Sequence, residues 1–263
     1  MGIVNVTPDS FYDGGRCFDR VKAVEHALAL LEEGADLLDI GGESTRPGAS
    51  PVSVDEEIAR VLPVIEGVRR HSAAPISIDT RNAPTAEAAL DAGADIVNDI
   101  SALRHDPAMT ALVARRGVPV VLMHMRGTPE TMQIDVWYDD PVAEIRRFLE
   151  ERVSAARQAG VVDVIVDPGI GFGKRVSDNL ALLRGLDELT LLGCPLLIGV
   201  SRKSFLGRIT GRNTRDRLAE TLAACVIAAL NGATILRVHD VREVRAAVAI
   251  AEAVREGRVE GAD

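Results

Sequence analysis

Residues 160–168, GVVDVIVDP, hold the pattern that decides the fold: a glycine, a short apolar run and an acidic residue at its end. The run VDVIVD (162–167) predicts a β-strand covered on both faces, as in parallel sheets flanked by helices. A glycine before such a strand suits the left-handed residue that ends a helix. Asp167 contributes little to a core, so the stretch predicts a helix end, a buried strand and a polar group at the strand's C-terminal end.

The same unit recurs along the whole chain. Between the apolar runs, residues at three- and four-residue spacing predict amphipathic helices, for example over 19–33, 54–71, 141–159 and 214–230. The other predicted strands are IVNV (3–6), DLLDI (36–40), PISID (75–79), DIVND (95–99), VPVVLMH (118–124), PLLIGV (195–200) and TILRV (234–238). The glycines expected to end helices are Gly34, Gly93, Gly117, Gly160, Gly193 and Gly232. Eight strands alternating with helices, without a linker, favour a single-domain (β/α)8 TIM barrel over residues 1–263 rather than an open doubly wound sheet.

Polar residues lie at or just beyond the ends of these strands. They are Asn5, Glu43, Asp79, Asn98, His124, Asp167, Lys203, Arg237 and His239. A single Asp or Asn after a strand often only caps the next helix, but the whole set is harder to explain that way. In (β/α)8 barrels the ligand site lies at the C-terminal ends of the strands. We therefore expect one active site there, built from many elements.

Composition narrows the class of protein. The net charge of -9 argues against broad nucleic-acid binding, which needs a basic face. No apolar run approaches the roughly 18 to 20 residues of a membrane span. The three cysteines are scattered and odd in number, which favours a reduced compartment and a cytoplasmic protein. An anionic ligand would need a local cluster of cations.

Three motifs suggest where ligands bind. DPGIGFGK (167–174) lacks the spacing of a P-loop or a Rossmann fingerprint. A Gly-rich turn is one interpretation; the other is a site in which Asp167 faces N–H donors and three glycines let a flat ligand approach the backbone. In SRKSFLG (201–207), Lys203 is either a surface lysine or an anion ligand at the barrel mouth. In RVHD (237–240), Arg237 and His239 would share a face of an extended strand, and with Arg46 they could form an anion pocket.

Together these segments resemble the dihydropteroate synthase family. The segments are MGIVNVTPDSF (1–11), DIGGESTRPGA (39–49), SIDT (77–80), NDI (98–100), LMHMRGTPETMQ (122–133), DPGIGFGK, SRKSFLG and RVHDV (237–241). The resemblance covers nearly the whole chain in order. It implies a barrel transferase of folate synthesis that condenses 6-hydroxymethyl-7,8-dihydropterin pyrophosphate with para-aminobenzoate, giving 7,8-dihydropteroate and pyrophosphate.

The resemblance also implies roles for individual residues. Asp79, Asn98 and Asp167 would bind the pterin, and Lys203 would lie near the pterin carbonyl and the aminobenzoate. Arg46, Arg237 and His239 would hold the pyrophosphate and, with Lys203, form the catalytic set. Thr45, Pro47 and Phe172 would contact the diphosphate or line the aminobenzoate channel, and Asn5 would lie at a magnesium ion. Glu43 and His124 would orient their loops without touching substrate.

The implied mechanism is an SN1-like displacement. Mg²⁺ and the cationic residues would stabilise charge growing on the leaving pyrophosphate, and the neutral aromatic amine would then attack the pterin methylene cation. The loops at 7–18 and 41–53 are candidate lids. The family further implies a homodimer through C-terminal helices, a site for sulfonamides, and small-molecule substrates as the only partners besides a second copy.

Departures from the family pattern leave alternatives open. Tyr12 stands where many relatives have Ser, and the chain starts four residues before Asn5, whereas relatives extend further. We expect a short first strand and a less covered barrel floor as a result. The alternatives are a catalytically weak paralogue, a methyltetrahydrofolate:corrinoid methyltransferase with a similar Asp, Asn, Asp pattern, and a non-catalytic pterin carrier. ESTRPGA, SRKSF and RVHD argue against the methyltransferase.

Overall fold

A computed structural model describes residues 1–7, 16–44, 51–134, 136–211 and 217–257, with residues 16–19 described by their backbone only. Within these ranges the chain alternates strands and helices. The strands are β1 (Gly2–Asn5), β2 (Leu38–Gly41), β3 (Ile76–Asp79), β4 (Ile96–Asp99), β5 (Val120–Met123), β6 (Val164–Asp167), β7 (Leu197–Ile198) and β8 (Ile235–Leu236). The helices are α1 (Arg16–Glu32), α2 (Val54–Arg69), α3 (Ala83–Asp91), α4 (Pro107–Arg116), α5 (Pro141–Gln158), α6 (Val176–Arg184), α7 (Leu186–Thr190), α8 (Ser204–Thr210), α9 (Leu218–Leu230) and α10 (Val241–Glu256).

The eight strands close into a parallel barrel. Strands β1 to β6 pair in sequence order, and β7 pairs with β8. Parallel bridges from Val166 to Leu196 and from Gly2 to Val238 join the two sheets on both sides. The Ile3 amide donates to the Val238 carbonyl at 3.0 Å, which closes the ring between the first and last strands. The predicted (β/α)8 barrel is confirmed.

Side-chain alternation along the strands divides the core into two layers. Residues such as Leu38, Ile78 and Leu122 point outward and form the large cluster between barrel and helices. Val121 and Ile165 point inward and pack with Met1 and Leu197 on the floor of the barrel. The floor is apolar, and the polar residues Asp79, Asn98 and Asp167 lie toward the C-terminal ends of their strands.

The predicted helix-ending glycines are confirmed. All six adopt left-handed φ angles, between +62° at Gly117 and +108° at Gly93. A side chain is disfavoured at such a φ, whereas glycine adopts it without a steric cost. The N-terminal ends of α4 and α5 have aspartate caps, Asp106 and Asp140, which accept from backbone amides one turn in. Glycine thus marks the C-terminal ends of six helices, and aspartate caps mark the N-terminal ends of two.

The element boundaries differ from the expectations at their ends. β7 and β8 have two residues each, and the predicted helix start at residue 214 lies outside the described residues. The expected shortening of β1 is wrong, because β1 has four residues, as have β2 to β6. At the barrel floor, which was expected to be less covered, the Met1 side chain packs with Val121, Ile165 and Leu197. Among the described residues, no helix is both long and apolar enough to cross a bilayer.

Candidate active site

A polar layer fills the interior of the barrel at the C-terminal ends of its strands. Asp79 on β3 lies beside Asn98 on β4 in the parallel register, and Asp167 ends β6. Arg237 follows β8, and Asp39, in the middle of β2, points into the same layer. Asp39 is fully buried, and Asn98 and Asp167 are nearly so. The structure therefore brings together strand-end residues that are far apart in the sequence.

Arg237 is the centre of this layer. Its Nε donates to Asp39 Oδ2 at 2.6 Å, and its Nη2 donates to Asp79 Oδ2 at 2.7 Å. Asp39 also accepts from the Asn98 amide nitrogen, at 3.2 and 3.3 Å. The anion pocket expected around Arg237 stays a prediction, and the guanidinium is already paired with two carboxylates. Asp39 is a residue that the sequence reasoning missed.

Three acceptor atoms in the layer have no donor among the described residues. Asp79 uses only Oδ2, Asp167 accepts at Oδ1 from the Gly169 amide at 2.6 Å, and Asn98 uses only its amide nitrogen. Asp79 Oδ1, Asp167 Oδ2 and Asn98 Oδ1 remain open. A carboxylate is an acceptor, and an amide oxygen accepts as well. The layer is therefore suited to a ligand edge that carries several N–H donors.

Burial shifts the pKa of both carboxylates upward. Desolvation raises the pKa of Asp167 to about 6, against the opposing effects of the Gly169 amide and of Lys203 and Lys174. Desolvation and the neighbouring Asp39 also raise the pKa of Asp79, although Arg237 opposes the shift. N–H donors from a ligand would favour the ionised carboxylates. Ligand binding and ionisation of this pair are therefore coupled.

Lys203 and Phe172 form a cation–π pair above the layer. The ammonium lies 4.0 Å from the ring centroid, within the range of such contacts. Burial lowers the pKa of Lys203 to about 8, with Arg237 acting in the same direction and Asp167 and Asp79 opposing. Lys203 lies directly before α8, so the backbone of a short helix sets its position. The pair supplies a flat apolar surface beside a cation.

The segment 167–174 forms a tightly anchored turn. Gly169, Gly171 and Gly173 all have left-handed φ angles, from +58° to +83°. A Cβ at Gly169 would lie 2.0 Å from the His124 carbonyl oxygen, and one at Gly173 would lie 2.9 Å from the Met132 carbonyl oxygen. Contacts within the protein therefore require glycine at these two positions. The turn needs glycine to pack against the segment that follows β5.

His239 lies beside Ser201, in the segments that follow β8 and β7. The Ser201 hydroxyl is 3.0 Å from His239 Nδ1, and it also accepts from the His239 backbone amide at 3.2 Å. Burial lowers the pKa of His239 to about 4, with Arg202 and Arg237 contributing. The imidazole is therefore neutral at pH 7 and acts as a hydrogen-bonding group rather than as a cation. Its Nε2 has no partner in the described part of the chain.

Glu43 and His124, the two residues predicted to orient their loops, both make contacts to neighbouring segments. Glu43 Oε1 accepts from the Val52 amide and from Arg81, both at 3.3 Å, and so it connects the end of β2 to the start of α2. His124 is buried after β5, and its Nδ1 lies 3.0 Å from Lys174 Nζ. Lys174 had no predicted role. Its position at the end of a recognised motif was the only signal that could have indicated one.

The remaining predicted residues fall into two groups. Asn5 ends β1 beside Gly41, is half-buried, and its side chain has no hydrogen-bond partner among the described residues. Thr45, Arg46 and Pro47 lie outside the described residues, as do residues 8–15 of the first predicted lid and 45–50 of the second. No group of three or more His, Cys, Asp or Glu side chains that could hold a metal occurs in the described ranges.

Fold and side chains together define a (β/α)8 barrel whose C-terminal strand ends carry buried acceptors for N–H donors beside Lys203 and Arg237. The family model for the pterin binding enzyme matches residues 1–239. A dihydropteroate synthase of Synechocystis is 46% identical over 97% of this chain and 89% of its own length.

Two solved structures show the same fold. Xanthomonas albilineans dihydropteroate synthase with 4-aminobenzoic acid is 51% identical, with a TM-score of 0.91 over 97% of this chain and 92% of its own. Yersinia pestis dihydropteroate synthase in a sulfonamide complex is 44% identical, with a TM-score of 0.91 over 97% of this chain and 94% of its own. The chain belongs to the dihydropteroate synthase family of pterin-binding enzymes.

Gly169→Ala tests the packing of the turn, with Gly117→Ala as its matched control. Both glycines have similar left-handed φ angles, +67° and +62°, but a Cβ at Gly117 would meet nothing within 4 Å. We expect Gly117→Ala to lower the free energy of unfolding by about 1 kcal/mol and Gly169→Ala by about 3 kcal/mol or more. Urea unfolding measures both values. Equal losses in the two variants would contradict this account of the turn.

Proposed function

We propose that the chain is a dihydropteroate synthase, which joins 6-hydroxymethyl-7,8-dihydropterin pyrophosphate to para-aminobenzoate and releases pyrophosphate. The observation that carries the proposal is the set of three open acceptors on Asp79, Asn98 and Asp167, beside Lys203 and Arg237. Family membership supports the same chemistry. The substrates, the roles of the residues, the metal and the assembly are part of the proposal.

The pterin edge fits the open acceptors. Its aminopyrimidine ring presents adjacent N–H donors and ring acceptors. Asp79 Oδ1 and Asp167 Oδ2 would accept from the donors, and the Asn98 amide oxygen would accept another. Arg237 and Asp39 keep Asp79 and Asn98 in fixed positions before ligand arrives. Such preorganisation lowers the cost of ordering the site on binding.

The aminobenzoate would lie against Phe172 and Lys203. A flat aromatic acid can stack on the Phe172 ring while the Lys203 ammonium attracts its carboxylate or the pterin carbonyl. By the family resemblance, Thr45 and Pro47 would contact the diphosphate or line the same channel. A sulfonamide has the same flat aniline shape, so we expect it to compete with para-aminobenzoate.

The pyrophosphate would lie at the C-terminal end of β8, near Arg237 and His239. His239 Nε2 can donate one hydrogen bond to it, and Arg237 supplies positive charge from the interior, with Arg46 completing the set. Stabilising charge that grows on the leaving oxygens is the largest single contribution that such a site can make. The aromatic amine is neutral at pH 7 and loses its proton only after the new C–N bond has formed. No strong base is required.

Magnesium fits this site through Asn5. The Asn5 amide oxygen is a hard ligand without a partner among the described residues, and it lies at the C-terminal end of β1. Mg²⁺ commonly takes one or two protein oxygens and completes its octahedron with water and phosphate oxygens. When bound, Mg²⁺ would neutralise charge on the pyrophosphate. We expect chelation to abolish turnover and added magnesium to restore it; full turnover in excess chelator would contradict the assignment.

A homodimer is proposed from an exposed apolar surface on the last two helices. Ile227 and Leu230 of α9 and Ile250 and Val254 of α10 are 47 to 78% exposed, and α9 packs on α10. Ile250 and Val254 are four residues apart and share one helix face.

A cytoplasmic location is also part of the proposal, and the pattern of the cysteines in the sequence supports it.

Light scattering tests the assembly. We expect a mass of about twice 28.1 kDa for the chain and a single-chain mass for the double variant Ile250→Glu with Val254→Glu. Val162→Glu is the control, since Val162 is 79% exposed on a different part of the barrel. A monomer before any substitution would refute the dimer.

A pyrophosphate-release assay tests the activity, because it needs both substrates and the bond between them. We expect Asp167→Asn and Lys203→Ala each to lower kcat/KM by about 100-fold, or ~2.7 kcal/mol of transition-state stabilisation. Asp163→Asn is the matched control, because Asp163 is exposed at the opposite end of the same strand run. Unchanged turnover in both site variants would refute the site.

Binding of a dihydropterin without pyrophosphate release would favour a carrier, and methyl transfer would favour the methyltransferase alternative.

A further inference from the structure

Lys174 is buried inside the turn that joins the two proposed substrate positions. Its Nζ donates to the carbonyl oxygens of Gly169 and Phe172, each at 2.9 Å, and to that of His124 at 3.3 Å. The fourth neighbour is His124 Nδ1 at 3.0 Å. Burial lowers the pKa of His124 to about 2, so its ring is neutral and can accept from the ammonium. Four contacts to a single nitrogen make this the most densely anchored side chain of the site.

The choice of lysine here is unusual for this chain. The sequence has three lysines, Lys22, Lys174 and Lys203, among 30 basic residues. Two of those three lie in the site. A lysine ammonium is compact and directs three donors outward, whereas the flat guanidinium of arginine directs its donors in a plane. The carbonyl oxygens around Lys174 surround one point, so they match an ammonium and not a guanidinium.

The contacts of Lys174 fix the two ends of the turn relative to each other. One end is Asp167, whose Oδ1 accepts from the Gly169 amide. The other is Phe172, whose ring lies under the Lys203 ammonium. Asn179 holds the middle of the turn by accepting from the Gly171 amide at 2.7 Å. Without the ammonium, the carbonyl groups of Gly169 and Phe172 would lose their common donor.

Burial and the neighbouring charged groups act in opposite directions on the Lys174 ammonium. Burial lowers the pKa of Lys174 to about 7; Asp167 and Asp178 oppose that shift, whereas Lys203 and Arg126 add to it. Asp167 is thus the neighbour that most favours the ammonium. In turn, the ammonium favours the ionised form of Asp167. Each stabilises the charge of the other across the turn.

We propose that Lys174 is a positioning residue that sets the distance between the pterin site at Asp167 and the aminobenzoate site at Phe172. The inference rests on the proposed function and deepens it. Asp167 ends a strand and is fixed by the barrel, whereas Phe172 depends on the turn. Loss of the ammonium therefore displaces Phe172 more than Asp167, and the KM for para-aminobenzoate should rise more than the KM for the pterin pyrophosphate.

The test uses Lys174→Met, which keeps the length of the side chain and removes its charge and donors. We expect the KM for para-aminobenzoate to rise about tenfold and that for the pterin pyrophosphate to stay within about threefold. Lys22→Met on α1 is the matched control and should change neither. Lys174→Arg should not rescue the para-aminobenzoate KM, because the guanidinium does not fit the three carbonyls. Equal changes in the two KM values, or rescue by arginine, would overturn the proposal.

The single tryptophan reports on the turn independently of turnover. The Trp137 ring stacks on the guanidinium of Arg175 at 4.5 Å, next to Lys174, and the Tyr138 hydroxyl donates to the Gly173 carbonyl at 3.1 Å. We expect the Trp137 emission of Lys174→Met to differ from that of Lys22→Met in the folded proteins. Unchanged emission would overturn the proposal.

A second variant covers the case in which Lys174→Met does not fold. Tyr138→Phe removes one hydrogen bond to the turn and should raise the para-aminobenzoate KM selectively, by about threefold; an unchanged KM would count against the role of the turn. Turnover of the unsubstituted chain reports on the proposed function by itself. If that chain lacks turnover, dissociation constants for para-aminobenzoate, measured through Trp137 fluorescence, replace KM and keep the comparison of the variants intact.

Discussion

The paired charges of Arg237, Asp39 and Asp79 are the interaction on which the rest of the site depends. Removing an ion from water costs several kcal/mol unless a partner compensates for it. Here one guanidinium bridges two carboxylates at 2.6 and 2.7 Å, and Asp39 holds the Asn98 amide as well. Four strands or strand ends, β2, β3, β4 and β8, are thereby fixed relative to one another. Asp79 Oδ1 and Asn98 Oδ1 stay open as acceptors, because the other polar atoms of these two side chains already have partners.

The site combines a rigid part and an adjustable part. Asp79, Asn98 and Asp167 belong to strands of a closed barrel, so the core that supports the sheet also positions them. Phe172 and Lys203 belong to a turn and to the start of a short helix, and their geometry depends on local contacts such as those of Lys174. A planar ligand with fixed hydrogen-bonding atoms suits the first part. The adjustable part, with Phe172 and Lys203, suits a second substrate that must approach, react and leave.

Sequence reasoning predicted the barrel because its signal is periodic and repeated eight times. It also predicted Asp79, Asn98 and Asp167, since each ends an apolar run. The sequence did not indicate Asp39, because this residue lies within an apolar run rather than beyond its end. Only the closed barrel shows that its side chain points inward. The sequence did not indicate a role for Lys174 either, because the partners of its ammonium include backbone carbonyl oxygens, whose positions no sequence pattern predicts. The pairing of Arg237 with carboxylates depends on contacts 158 and 198 residues away, which local patterns do not contain.

The measurement that tests this account most directly is the affinity of Asp39→Asn for a 7,8-dihydropterin, determined by calorimetry. Asp39 is fully buried beneath the site, so it acts on binding through its neighbours Arg237, Asn98 and Asp79. Asparagine keeps the volume and removes the charge that pairs with Arg237. The account predicts that affinity falls about tenfold, or ~1.4 kcal/mol, in a variant that remains folded. An affinity equal to that of the unsubstituted chain would show that the buried charge bridge does not organise the site.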